Sequence, residues 1–444
     1  MTTPAWTPEQ VVALAPDASS AKAGRELAQP RKWLNPGHYG DVLWGEHQGS
    51  GSTPYQTIVE LSTPAFHCSC PSRKFPCKHG LGLFMVYAQQ PNAVLQTAPP
   101  AWVSEWLAGR AKRAQQKAEK SSQAEKSPEQ QAETTAGQAK RAVARENKVA
   151  AGVAELERWL ADLVRGGLAQ AQNQPNKYWA TMVARLIDAQ APGLANRVNE
   201  LSTIPASGSN WKDHLLEKLS LLHLLLEAYK RLDHLPTATQ TDVRSLIGFP
   251  TAQEDLLALP GLRDRWLIQG QRVSEEGNLR TQRTWLVGEN SQRSALILHF
   301  AVNGRPLDSS LVVGANLEAE LVFYPSAYPL RALIKQRFAT QSLTHFVAAP
   351  TIDSALADYA AALAFYPWLD RFPMTLQAIV PFFEADRCWV SDGEQNALPL
   401  STSFSATWKL LALSGGEPIS IFGEWNGDCL LPLSALVEQK VVLL

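Results

Sequence analysis

Fixed charge is scarce and balanced in this chain of 444 residues: 41 Lys and Arg meet 42 Asp and Glu, and only 19% of residues are charged. That balance excludes a protein held to nucleic acid by bulk charge, so any such contact has to be local. Cysteine is sparse as well; five residues are too few, and an odd number, for a disulfide framework. No apolar run approaches the ~20 residues that a bilayer-spanning helix needs. The most apolar helical stretch, 215–229, is interrupted by Glu217, Lys218, His223 and Glu227. The N-terminus, Met-Thr-Thr-Pro-Ala-Trp-Thr-Pro, has neither a basic n-region nor an apolar h-region, so no secretory signal is expected. These absences point to a soluble protein of the reducing cytoplasm, where clustered cysteines bind metal more readily than one another. What is present is apolar: 45% of residues are hydrophobic, which excludes a wholly disordered chain, a collagen-like fibre or a coiled-coil rod.

The length accommodates two to four domains at roughly 100–200 residues each. Residues 1–108 read as a first unit. Runs 41–48 and 54–61 have strand character and are separated by Gly49-Ser50-Gly51-Ser52, a hairpin signal, and 78–89 (KHGLGLFMVYAQ) reads as a short buried helix. Residues 109–149 are a charged linker or exposed helix: between 110 and 148 there are ten Lys and Arg, five Asp and Glu, and Val143 as the one bulky aliphatic. Residues 150–260 have helical periodicity. Leu156, Trp159, Leu160, Leu163 and Val164 fall on one face, and further helices are expected at 176–189, 209–234, 239–247 and 251–259, with Asn210 as an N-cap and Pro236 as a stop. Residues 261–444 read as a β-rich α+β domain, with strands at 265–274, 281–289, 294–302, 317–324 and 419–425 and a helix at 352–365. The predicted class is α+β multidomain: a small ββα unit, a central all-α region and a C-terminal β-rich α+β domain.

The stretch His67-Cys68-Ser69-Cys70-Pro71-Ser72-Arg73-Lys74-Phe75-Pro76-Cys77-Lys78-His79 places three of the five cysteines within ten residues. Its pattern is C-x-C, six residues, C-x-H. Three thiolates and one imidazole suit the tetrahedral, borderline-soft preference of zinc, and four protein ligands close the shell, so the ion is expected to hold structure and not to catalyse. Cys68, Cys70, Cys77 and His79 are therefore the expected ligands of one structural Zn2+. The spacing predicts that the C-x-C pair leaves the second strand and that Cys77 and His79 enter the following helix, so that zinc pins hairpin to helix and contributes more than the helix gains by packing. His67 is the alternative nitrogen ligand, set aside because neighbouring strand residues face opposite sides. A redox pair is set aside because C-x-C is poorly spaced for a relaxed disulfide, and an iron–sulfur cluster because one ligand is His. Cys388 and Cys429 lack nearby ligands and read as buried thiols.

At this cluster the sequence resembles the SWIM zinc-finger family, CxCx(n)CxH on a ββα unit, over roughly residues 31–90. The PSRKFPCKHG context, preceded by WGEHQGSGSTPYQTIVEL, is similar to bacterial SWIM proteins. The resemblance implies a DNA-binding or protein-interaction module. It also implies partners: a MoxR-type AAA ATPase and a von Willebrand factor A domain protein, with which such bacterial members tend to be encoded.

Arg73, Lys74 and Lys78, with Phe75 between the charges, are the candidate nucleic-acid or partner-binding residues; they suit phosphate contact plus base stacking, or a solvated loop with Phe75 packed beneath the finger. No HExxH, GxSxG or GxGxxG occurs, and Gly49-Ser50-Gly51-Ser52 lacks the phosphate-loop pattern. His223 and His299 read as core histidines. The expectation is a non-enzymatic, cytoplasmic zinc-finger adaptor without membrane contact; the alternative is an enzyme with an unrecognised active site within residues 260–444, targeted by the finger.

Overall fold

The computed structural model describes residues 6–444 except 7, 17, 50, 62–64, 73, 111–127, 209, 303–306, 344 and 395. It has a small N-terminal sheet-and-helix region, a central helical region and a C-terminal β-rich region, the class that the sequence predicts.

In the N-terminal region, α1 (Pro8–Ala13) and α2 (Ala18–Leu27) precede β1 (Leu34–Tyr39), β2 (Val42–His47), β3 (Tyr55–Glu60), β4 (Ala65–Cys68), α3 (Lys78–Gln89) and β5 (Leu95–Gln96). Described residues 101–110 are helical (α4). The Gly/Ser segment does join an antiparallel hairpin, with β2 and β3 paired from Val42↔Glu60 to His47↔Tyr55. The sheet is larger than a ββα unit requires: five strands in the order β4-β3-β2-β1-β5. Its pleat sends Leu43 and Val59 to one face, against Leu81, Phe84 and Met85 of α3. Trp44 and Ile58 go to the other face, against Val103 and Trp106 of α4. Trp6 closes the first core through a hydrogen bond from its indole nitrogen to the Leu61 carbonyl, 3.1 Å.

The central region contains α5 (Pro128–Arg165), α6 (Asn176–Asp188), α7 (Pro192–Thr203), α8 (Trp211–Lys230), α9 (Thr237–Ile247) and α10 (Gln253–Ala258). Leu156, Leu160 and Leu163 of the expected stripe are buried in one core with Leu186, Val198, Leu222 and Ile247, but Trp159 only flanks that core and Val164 is exposed. Asn210 occupies the N-cap position of α8 without a side-chain capping bond. Pro236 caps the start of α9; α8 itself ends earlier, at Lys230. His223 is exposed, not a core residue.

The C-terminal region has two sheets. One runs β10-β9-β6-β7-β8, from β6 (Leu262–Glu276), β7 (Leu279–Gly288), β8 (Ser294–Val302), β9 (Ala315–Phe323) and β10 (Ala332–Ser342). The other runs β13-β12-β11-β14-β15-β16, from β11 (Phe372–Glu384), β12 (Arg387–Ser391), β13 (Ala397–Pro399), β14 (Ile419–Trp425), β15 (Leu430–Val437) and β16 (Lys440–Leu443). Helices α11 (Ile352–Phe365) and α12 (Thr407–Ser414) complete it. Trp285, Leu330, Phe422 and Leu433 join the sheets, and Gln269 crosses between them, accepting from Thr375 and Ser434 hydroxyls. His299 is half-buried, its Nδ1 accepting the Asp308 N–H at 2.9 Å. The regions touch: Trp368 inserts into the helical core and donates to the Leu221 carbonyl, while Val312 completes the N-terminal core. Among the described residues, no helix is long and apolar enough to cross a membrane.

Candidate metal centre

Two local structures carry the cysteine cluster. β4 pairs with β3 so that Cys68 lies opposite Thr57, whose hydroxyl is 3.3 Å from the sulfur. The chain leaving β4 is then clamped to β3 twice, since Ser69 N–H donates to the Gln56 carbonyl (3.0 Å) and Gln56 N–H donates to the Ser69 hydroxyl (2.9 Å). This places Cys70 one residue beyond a fixed point. The C-x-C pair thus leaves the fourth strand, not the second, because β1 and the short β4 flank the expected hairpin on either side.

The other pair belongs to α3. Cys77 is its N-cap, and the thiol accepts the Gly80 N–H at 3.5 Å. His79, in the first turn, is 4% exposed. Every residue from His79 to Tyr87 is buried, so the helix cannot turn about its axis without exposing its core, and the imidazole is held in place. Gly80 is required beside it: a Cβ there would lie 2.8 Å from the Phe66 ring. The rings of His47 and Tyr55 wall the imidazole at 4.9 and 5.1 Å. Burial, and then the nearby His79 and Lys78, hold the His47 pKa below its usual value.

The ligand atoms of Cys68, Cys70, Cys77 and His79 all lie within 4.8 Å of one another, and Cys68 Sγ is 3.8 Å from His79 Nδ1. Tetrahedral coordination at a Zn–S length of ~2.3 Å puts sulfurs ~3.8 Å apart, so the four donors fit one metal ion after small movements. The thiols also couple to each other. A hydrogen bond from Cys68, followed by those from His79 and Gly80 N–H, draws the Cys77 pKa down to about 3. The same bond to Cys77, followed by burial, pushes Cys68 up, and burial raises Cys70. A thiophilic cation binds the thiolates, so its binding to these packed thiols releases protons.

All five cysteines are free thiols. Cys388 is buried, whereas Cys429 is only half-buried. His67 is exposed and packs on Trp106 (6.0 Å), away from the four donors. Lys74 and Lys78 are exposed on the finger, Lys74 Nζ donating to Ser19 at 2.8 Å; Arg73 lies outside the described residues. Phe75 combines both expected readings: it is 44% exposed and also meets Phe66 edge-on at 6.1 Å. His47, Tyr55 and the Ser69 clamp could not be read from spacing, because they reach the centre only through the β2–β3–β4 register.

Residues 144–247, from the second half of α5 to the end of α9, match the family model of the SWIM-associated four-helix bundle domain. No curated protein and no solved structure matches the chain. The matched bundle and a Cys3His cluster able to hold a metal ion together fit a SWIM zinc-finger family.

Proposed function

We propose that this chain is a non-enzymatic, cytoplasmic adaptor in which one structural Zn2+, bound by Cys68, Cys70, Cys77 and His79, rigidifies a recognition surface for protein partners. The observation that carries the reading is the closed donor set: four protein ligands within 4.8 Å leave no position for substrate. Lys74, Phe75 and Lys78 stand exposed beside it. The resemblance supplies the candidate partners, a MoxR-type AAA ATPase and a von Willebrand factor A protein. Affinity capture of the full chain, with metal analysis of the same sample, tests this: one zinc per chain and co-purification of an AAA ATPase are expected. A metal-free, folded chain would refute the zinc reading, and its capture with no ATPase would refute the partnership.

Nucleic acid as a second ligand is favoured by a groove of about 510 Å³ on the bundle, lined by Arg141, Arg145, Lys148 and Arg244, with Glu146 the single carboxylate among the described residues that line it. Arg145 and Arg244 both stack on Phe249, at 4.9 and 4.1 Å. This groove continues the basic stretch 110–148, so phosphate contact would be shared between finger and bundle. Gel shift of the full chain on generic duplex at low and moderate salt is the test; no shift at low salt leaves protein docking alone. An enzyme within residues 260–444 remains the competing class. A cavity of about 580 Å³ there has one carboxylate, Asp358, among the described residues of its walls, which supports binding ahead of paired acid–base chemistry.

A further inference from the structure

Glu424 is a charged residue in the apolar strand β14, ISIFGEW. Its side chain is only 1% exposed and is saturated with donors. Trp285 Nε1 (2.9 Å) and Arg283 Nε (3.1 Å) donate to Oε1. Arg371 Nη1 (3.2 Å) and Arg272 Nη1 (3.6 Å) approach Oε2. A latch between the two sheets needs one arginine for one carboxylate; here three converge, and guanidinium does not lose its proton in proteins. Arg283 is the deepest, with its side chain 16% exposed, and burial, only partly offset by Glu424, pushes its pKa down. The cluster thus carries a surplus of positive charge in a partly desolvated place.

A cavity of about 310 Å³ opens beside it, between α9 and the sheets, with Arg283, Arg331 and Arg371 on its walls together with the rings of Trp285, Tyr324 and Tyr328. Arg331 is not among the partners of Glu424; it lies over the Tyr324 ring at 4.2 Å. Two carboxylates, Asp242 and Asp370, also line the cavity, and both are engaged elsewhere. Asp242 is buried and accepts the Ala327 N–H at 2.8 Å, and Asp370 faces Lys218 Nζ at 3.9 Å. The volume lies at the low end of the ~300–1,000 Å³ typical of small-molecule pockets.

We propose that this cavity binds a small organic anion, its phosphate or carboxylate group held by Arg283, Arg331 and Arg371 and its flat apolar portion resting on Trp285 and Tyr328. Guanidinium forks match either acid group in two-point geometry, and aromatic walls take a planar ring. The site is separate from the metal centre and independent of the adaptor reading.

Calorimetric titration of the zinc-loaded full chain, at constant ionic strength, with AMP, benzoate, inorganic phosphate and adenosine tests the proposal. Saturable binding of AMP or benzoate is expected, with inorganic phosphate weaker and uncharged adenosine silent; which acid binds distinguishes phosphate from carboxylate. Arg331→Gln and Arg371→Gln should each raise Kd by about tenfold or more, as loss of a charge-assisted contact does, with circular dichroism and zinc content unchanged. Should Arg371→Gln disturb the fold through Glu424, Arg331→Gln decides. No saturable binding of phosphate, AMP or benzoate up to about 10 mM, a ceiling well above the ~1 mM of a very weak ligand, would overturn the proposal. So would binding that the folded variants retain in full.

Discussion

Replacing Cys77 with serine separates the metal from the fold, because serine keeps the one non-metal duty of this position. Cys77 is the N-cap of α3, with its sulfur accepting the Gly80 N–H. Serine is a preferred N-cap, so the helix start survives while one of four soft ligands is lost. Loss of outer partners of a zinc site already costs about 10–100-fold in affinity, and loss of a direct ligand should exceed ~100-fold. The consequence for the fold follows from burial. Leu81, Leu83, Phe84, Met85 and Val86 of α3 are 0–1% exposed. At ~1.5–3 kcal/mol for each fully buried side chain, they contribute about 8–15 kcal/mol, an upper estimate. That is the same scale as the ~10–16 kcal/mol of structural zinc in isolated fingers. The helix's own packing is therefore comparable in scale with the metal's contribution, since this finger sits on a five-stranded sheet with cores on both faces. Native mass spectrometry of Cys77→Ser should show no retained zinc. Hydrogen exchange of the full chain should show protection lost across 65–80 but kept in β2 and in 81–87. Zinc retained at one per chain, or protection lost throughout 33–89, would refute the reasoning.

Three further perturbations probe the scaffold. Glu424→Gln leaves Arg272, Arg283 and Arg371 without their carboxylate and should destabilise the C-terminal region by about 3–5 kcal/mol in urea unfolding; a loss below ~1 kcal/mol would mean that the arginines find other partners. Gly193→Ala should loosen the contact of α7 with α9, because a Cβ there would lie 2.0 Å from the Leu246 carbonyl oxygen, costing about 1–3 kcal/mol; an unchanged unfolding midpoint of the bundle contradicts this. Burial raises the Asp264 pKa, but donors from Ser291, Asn290 and Arg265 N–H outweigh it and hold the group below its ordinary value. A depressed carboxylate contributes stability above its unfolded pKa of ~3.9, lost as pH falls through the folded value. The stability gap between the wild type and Asp264→Asn should accordingly close on acidification below about pH 4, and a gap independent of pH would show that the charge is not what these donors recognise.

How much was legible differs between site and scaffold, for a physical reason. The four ligands were readable because coordination chemistry restricts residue type and because all four lie within a dozen positions of one another, so no tertiary information was needed to group them. Glu424 and its three arginines come from β14, β6, β7 and the approach to β11, and only the pairing of two sheets makes them a cluster. The one local signal was Glu424 itself, a carboxylate in an otherwise apolar strand; such a residue has to be paired or neutralised. Regular elements were read well where periodicity was clean: α3 and α11 span the expected residues, 78–89 and 352–365. Three of the strands that went unread contain proline and change register. β1 holds Pro36 and shifts register between Leu34 and Gly37. β11 holds Pro373 and Pro381, with Ala378 at φ 54° where the register shifts between Leu376 and Ile379. β15 contains Pro432, opposite Gly423 beside another shift. Proline ordinarily argues against a central strand, and a bulge that removes the need for one N–H lifts the objection. Pro192-Gly193, a pair that ordinarily marks a turn, is here the first turn of α7, where proline is tolerated and glycine lets the α9 backbone approach.

The breaks in pattern coincide with the places where the regions meet. Gly193 admits α9, and α9 in turn supplies Asp242 to the wall of the arginine cavity; Arg371 directly precedes the proline-bearing β11. Trp368, three residues earlier in sequence, crosses into the helical core and donates to the Leu221 carbonyl of α8. A ligand drawing on Arg371 would therefore bear on the segment that joins the C-terminal sheets to the bundle. The metal centre, by contrast, is assembled wholly from β4, the loop after it and α3. Loss of zinc should consequently leave the arginine cavity intact, and anion binding by metal-depleted full chain should match that of the zinc-loaded form. A dependence of one on the other would mean coupling between the regions; Val312, a residue of the C-terminal region packed into the N-terminal core, is one route, and a Val312→Ala variant that abolished the dependence would locate it there.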